Sequence, residues 1–126
     1  MNVNIFRVIV PVENIDEAQR FYRKLFDIDG ERVSPGRHYF KCGNVILACF
    51  DPAAEGDKFT REPNPEHIYF ETDQIEQLFE NAKEAGCSFL EDKVEKRSWG
   101  ERSFYAKDPF GNPLCFVDRK SMFTGH

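Results

Sequence analysis

Ser98-Trp99-Gly100-Glu101-Arg102-Ser103-Phe104-Tyr105-Ala106-Lys107-Asp108-Pro109-Phe110-Gly111-Asn112-Pro113-Leu114-Cys115-Phe116-Val117 is the stretch that decides the fold. Two apolar-aromatic runs flank Asp108-Pro109-Phe110-Gly111-Asn112. Proline fixes one backbone angle, and glycine followed by asparagine tolerates positive φ. The stretch reads as a strand, a tight turn and a returning strand.

Working back, His67 to Thr72 reads as another strand. Asp73 is placed to cap a helix, with Glu76 as its capping-box partner. Ile75, Leu78, Phe79 and Ala82 form the apolar stripe, and Gly86 closes the helix. A short strand is expected at Cys87 to Leu90, then Arg102 to Lys107 and Pro113 to Val117. The first half has the same order. Ile5 to Val12 is a strand, apolar on both faces except at Arg7 and so expected to be mostly buried. Pro11, lacking an N–H, places its end near a sheet edge. Asn14 caps a helix with Glu17 as partner, and Ala18, Phe21, Tyr22, Leu25 and Phe26 form its stripe. Gly30 ends the segment. Strands follow at Glu31 to Val33, Arg37 to Lys41 and Asn44 to Phe50, separated by Pro35-Gly36 and Gly43-Asn44. The helix stripes should pack on the convex sheet faces with Phe6, Val8, Ile68 and Phe70.

Ile15 answers to Ile75, and Gly43-Asn44 to Gly111-Asn112. The pattern is an α+β domain over 1–126: a βαβββ module at 4–50, a Pro-rich and charged connection at 51–65, and a second module at 66–118. The polar tail 119–126 is expected to fray.

Forty per cent of the 126 residues are hydrophobic and thirteen are Phe, enough for a core. A net charge of −5 with no basic run disfavours nucleic acid. No apolar run approaches the roughly 20 residues that span a bilayer, so no membrane partner is expected. No signal peptide is read, and the four cysteines lack CxxC or zinc-ribbon spacing. Free thiols in a reducing cytoplasm follow as the expectation.

The Trp99, Gly100, Arg102, Phe104, Tyr105 pattern and the Asp108 to Asn112 turn resemble the last hairpin of the vicinal-oxygen-chelate superfamily. That superfamily includes glyoxalase I, bleomycin-resistance proteins, fosfomycin-resistance enzymes and extradiol dioxygenases. Phe21-Tyr22 and Gly86 add to the likeness, which covers roughly Ile5 to Asp118 and looks nearest to the bleomycin-resistance type. It implies two βαβββ modules forming curved mixed sheets around a cleft, helices on the convex faces, and a homodimer. It also implies divalent-metal ligands from the first and last strand of each module. Counted from the motifs, these places fall on Arg7, Leu47, His67 and Cys115. A guanidinium has no lone pair to give and Leu cannot ligate. One His and one Cys are fewer than the three protein ligands of a catalytic zinc site. No metal and no cofactor are therefore expected.

The candidate cleft consists of Arg7, Leu47, His67, Tyr69, Glu71, Trp99 and Cys115, with Ile68 and Phe70 on the opposite strand face. His67 reads first as a hydrogen-bonding histidine, second as a ligand. Cys115 reads first as an inert thiol, second as a thiolate activated by His67 or Arg7. Arg7 reads either as one half of an ion pair with Glu71 or Glu101 or as an anchor for a bound anion. Trp99 needs a polar edge for its N–H. Phe104 and Tyr105 read as sheet packing, and the face of His38 is open. The reading favoured is a metal-free binding protein for a small organic molecule, with sequestration or resistance as one use. The alternative is an enzyme of the same superfamily: a lyase, isomerase or dioxygenase type with unusual site residues, or a metal-free catalyst using His67 and Cys115.

Overall fold

A computed structural model describes residues 1–58 and 61–125. Residues 59 and 60 of the connection and residue 126 of the tail lie outside the described residues. The first module runs β1 (Arg7–Pro11), α1 (Ile15–Phe26), β2 (Glu31–Ser34), β3 (Arg37–Cys42) and β4 (Val45–Phe50). The second runs β5 (Ile68–Thr72), α2 (Ile75–Ala85), β6 (Phe89–Leu90), β7 (Glu95–Lys96), β8 (Arg102–Lys107) and β9 (Pro113–Asp118). One sheet has the order β1-β4-β3-β2. The other has β5-β9-β8, with β6 and β7 sharing the outer edge of β8. In each sheet the first strand lies parallel to the last, and the remaining pairs are antiparallel.

The strand expected at Cys87 to Leu90 is instead two short pieces. Leu90 pairs Ala106 and Glu95 pairs Ser103, so the edge carries extra residues between them, a bulge. The Glu91 carboxylate takes the hydrogen bond of the Tyr105 N–H there, at 2.7 Å, in place of a strand carbonyl.

Asn14 caps α1 as expected: its Oδ1 accepts from the Glu17 N–H at 2.9 Å, worth about 1 kcal/mol. Asp73 does not cap α2. Gln74 occupies the cap, Thr72 Oγ1 accepts the Gln74 N–H, and Asp73 turns toward Arg119 at 3.9 Å. The tail is also better held than expected. The Arg102 N–H donates to Ser121 Oγ, and the Phe123 N–H to Glu101.

The core lies on the helix side of both sheets: Phe21, Tyr22 and Leu25 of α1 and Ile75 and Phe79 of α2, against Val10, Phe40, Leu47, Cys49, Phe104, Leu114 and Phe116. Phe26 crosses between modules, with ring centroids 5.5 Å from Phe70 and 6.5 Å from Phe116. Each fully buried aromatic of this core, such as Phe21, Phe40, Phe104 or Phe116, contributes about 1.5–3 kcal/mol. Phe6 was expected in this layer but is 63 % exposed, because β1 begins one residue later. Nor is β1 mostly buried. It is an edge strand, and Arg7 and Ile9 are exposed while Val10 and Pro11 are buried.

Among the described residues no strand of one sheet pairs with a strand of the other. Side chains join them at one end of the seam between β1 and β5. Asn112 Nδ2 donates to the Pro11 carbonyl at 2.7 Å and Asn64 Nδ2 to the Ile9 carbonyl at 3.0 Å.

Candidate functional site

Opposite the helices each sheet has a second, open face. Strand alternation puts Arg7 and Ile9 of β1 there, in rows with Ile46 and Lys41, and with Ala48 and Tyr39. The Arg7 guanidinium stands 5.0 Å from the Phe6 ring and 5.0 Å from the Tyr39 ring. The two acids expected to pair with it are engaged elsewhere. Glu71 is gripped by Arg119, which lowers its pKa, and Glu101 accepts from Trp99 Nε1 at 2.9 Å. Among the described residues neither Arg7 nor Lys41 forms an ion pair.

Leu47 does not share this face. It pairs with Val8, is 2 % exposed and belongs to the core on the helix side. The cause is turn length. Gly43-Asn44 is a two-residue hairpin loop, since Cys42 pairs Val45, whereas five residues separate Lys107 from Pro113. Counting from Gly-Asn therefore lands on opposite sheet faces in the two modules, and a one-residue slip exchanges faces. The open-face residue answering to Cys115 is Ala48.

On the second sheet Tyr69, Cys115 and Tyr105 form one row across β5, β9 and β8. The His67 ring lies 4.9 Å from the Tyr105 ring and 6.2 Å from that of Tyr69. Arg97 rests 4.7 Å over Tyr105, fixed by the Glu91 carboxylate and by Ser103 Oγ at 2.9 Å. Burial first, then a hydrogen bond with Tyr69, raises the Tyr105 hydroxyl pKa. Cys115 is buried under this row, and burial pushes its thiol up to about 11. Neither His67 nor Arg7 is among the groups that act on it, so its surroundings lend the activated-thiolate reading no support. Tyr105, read from sequence as packing, faces the open side; Phe104 is core. Glu91 and Arg97 escaped sequence reasoning because a bulge, which leaves no periodicity, brings them together. Trp99 stands at the β7–β8 turn, 62 % exposed. His38 is buried on the helix side. Its Nδ1 accepts from Arg32 and its Nε2 donates to the Asp29 carbonyl at 2.9 Å.

Two grooves border the helices and the seam between the sheets. One, of about 1120 Å³, is polar and lies between the C-terminal end of α1 and the start of α2, bordered by Arg23, Asp27, Gln74 and Asn81. The other, of about 880 Å³, follows the β1–β5 seam. It includes Leu47, Tyr69 and Glu71 from the expected cleft, but not Arg7, His67, Trp99 or Cys115.

The family model described as Glyoxalase/Bleomycin resistance protein/Dioxygenase superfamily matches residues 4–116. The chain belongs to this superfamily. A glyoxalase/bleomycin resistance protein from Albidiferax ferrireducens T118 superimposes with TM-score 0.77 at 18% identity, covering 91% of this chain and 98% of that one. A glyoxalase-related enzyme from Fulvimarina pelagi gives 0.76 at 16%, covering 93% and 88%. A lactoylglutathione lyase from Agrobacterium tumefaciens gives 0.70 at 22%, covering 94% and 96%. These likenesses are of fold. No curated protein matches this chain. Among the described residues no helix is long and apolar enough to cross a membrane.

The superfamily resemblance implies a divalent cation, and this chain's donors do not fit one. The four equivalent strand positions carry Arg7, Ala48, His67 and Cys115. These offer one imidazole, one thiol held protonated by burial, one methyl and one guanidinium, short of the three protein ligands a catalytic zinc site uses. Among the described residues no three His, Cys, Asp or Glu side chains gather as a metal site.

Proposed function

We propose that this superfamily member is a metal-free binding protein for a small aromatic or amphipathic anion, held on the open sheet face of a homodimer in a reducing cytoplasm. The observation that carries the reading is Arg7. Its guanidinium lies between two aromatic rings on an exposed face, and the acids nearest in expectation are committed to other partners. A planar donor of this kind suits a carboxylate, and aromatic walls with a few polar anchors are what binding sites commonly combine. His67, Tyr69 and Tyr105 provide a second aromatic and hydrogen-bonding surface. The exposed Ile5, Phe6 and Ile9, on β1 and just before it, support a second copy, since clustered apolar exposure marks interaction surfaces. Sequestration, the kind of use made by resistance proteins of the bleomycin type, is the corresponding role.

The test is calorimetric titration with a panel of aromatic carboxylates. At least one should bind saturably, and Arg7→Met should weaken it about tenfold or more. Full-strength binding to Arg7→Met removes the anchor, and failure of the whole panel removes the ligand class.

A further inference from the structure

Two cations share one row on the open face of the first sheet. Arg7 pairs Ile46 and Ile46 pairs Lys41, so both side chains rise from the same side of β1, β4 and β3. Their Cα atoms are two strand spacings apart, about 10 Å. The Arg7 guanidinium lies 5.0 Å from the ring of Tyr39, a residue of β3, so the Arg7 side chain is laid inward across β4. Tyr39 is two residues from Lys41 on the same strand and the same face. The two charges therefore converge on the surface above Ile46. Nothing in these rows neutralises them. β4 contributes Ile46, Ala48 and Phe50 to this face. Arg37 is held by Glu55, and Arg61 stacks on Phe50 at 5.3 Å. Glu31 stands beyond Tyr39, on the side away from β1. Asp29, which would continue β2 beside Lys41, turns to Arg23 at 3.9 Å. Among the described residues neither Arg7 nor Lys41 has an acid partner.

A single carboxylate satisfies a guanidinium and leaves the ammonium unpaired. Two uncommitted cations over an apolar floor match a compact group that carries two negative charges. A phosphate monoester is such a group. Above its second pKa of about 6 it is a dianion with three acceptor oxygens, enough for a planar fork and a point charge together. The Phe6 and Tyr39 rings beside Arg7, the first of them 63 % exposed, give flat apolar surface for the body that carries it. We propose that the aromatic anion bound on this face is an aryl phosphate monoester, its phosphate held jointly by Arg7 and Lys41. This rests on the Arg7 anchor and adds Lys41, which selects the second charge.

The experiment titrates the full chain calorimetrically with naphthyl phosphate, naphthoate and inorganic phosphate. At about pH 7.5 naphthyl phosphate should bind about tenfold more tightly than either of the others. Both cations are exposed, so their variants keep the fold. Lys41→Met should remove the preference for phosphate over carboxylate and leave naphthoate nearly unchanged. Lys41→Arg should keep the preference, and Lys120→Met in the tail should alter nothing. Arg7→Met should weaken both aromatic ligands. Lowering the pH to about 5 should weaken naphthyl phosphate about tenfold, because its second proton goes on near 6, while naphthoate holds. Naphthyl phosphate bound no tighter than naphthoate, or a Lys41→Met loss shared equally by both, overturns the proposal and leaves the Arg7 anchor standing. Inorganic phosphate binding as tightly as naphthyl phosphate also overturns it, since the aromatic body then makes no contact. Full-strength binding of both aromatic ligands to Arg7→Met, or saturation by neither in the unaltered protein, overturns the anchor and the proposal together.

Discussion

The Tyr22 hydroxyl donates to Asp108 Oδ2 over 2.7 Å, joining the helix of the first module to the last turn of the second. Both residues are buried. Asp108 also accepts from the Phe110 and Asn112 N–H groups and from Asn112 Nδ2, and Asn112 passes its amide on to the Pro11 carbonyl. One carboxylate thus shapes the turn and ties it to β1. Tyr22→Phe removes one donor from a buried acceptor and should destabilise the fold by about 1–3 kcal/mol in urea unfolding. An unchanged midpoint and slope would show that the bond contributes nothing net.

Burial raises the Asp108 pKa, outweighing the Tyr22, Asn112 and Phe110 hydrogen bonds that favour its charged form. A carboxyl with a raised folded pKa holds its proton more tightly when folded. Its contribution to stability is full below the unfolded value of about 3.9 and is lost as pH rises through the folded value. Carboxyl ¹³C NMR should find Asp108 titrating above ordinary aspartates. Titration at or below about 3.9 would mean that the hydrogen bonds win.

All four thiols should resist a disulfide reagent at pH 8 while the protein is folded. Burial pushes Cys42, Cys87 and Cys115 up to about 11 and raises Cys49 further. Denaturant should release four reactive groups. Rapid labelling of Cys115 in the native protein would reopen the nucleophile reading.

Chelation with EDTA should leave the melting temperature unchanged, and His67→Ala should not alter metal content after dialysis. About one metal per chain, lost on His67→Ala, would contradict a donor set of Arg7, Ala48, His67 and Cys115.

Light scattering with size-exclusion chromatography should give two chains per particle at micromolar concentration. Ile9→Lys, placing a charge on the exposed face of β1, should shift the population toward one chain without unfolding it. A wild-type protein that stays monomeric at all concentrations would remove the homodimer.

The order of elements was legible in the sequence because it depends on local signals. Apolar periodicity, the Asn14 cap and the Gly-Asn turns act within a few residues of themselves. The duplicated modules followed from those signals, as did the alternation that separates His67 and Tyr69 from Phe70. What the site contains was decided at longer range. Whether Leu47 or Ala48 shares the open face with Arg7 depends on pairing with β1, and a two-residue loop in place of a five-residue one reverses it. Glu91 meets Arg97 and Tyr105 only because a bulge folds the edge of β8. Glu71 is held by Arg119, far along the chain, and not by Arg7. The seam groove exists because β1 and β5 each spend one edge on a partner and leave the other unpaired. Sequence pattern specifies which side of a strand is apolar; only tertiary packing specifies which edges and which charges are left without a neighbour.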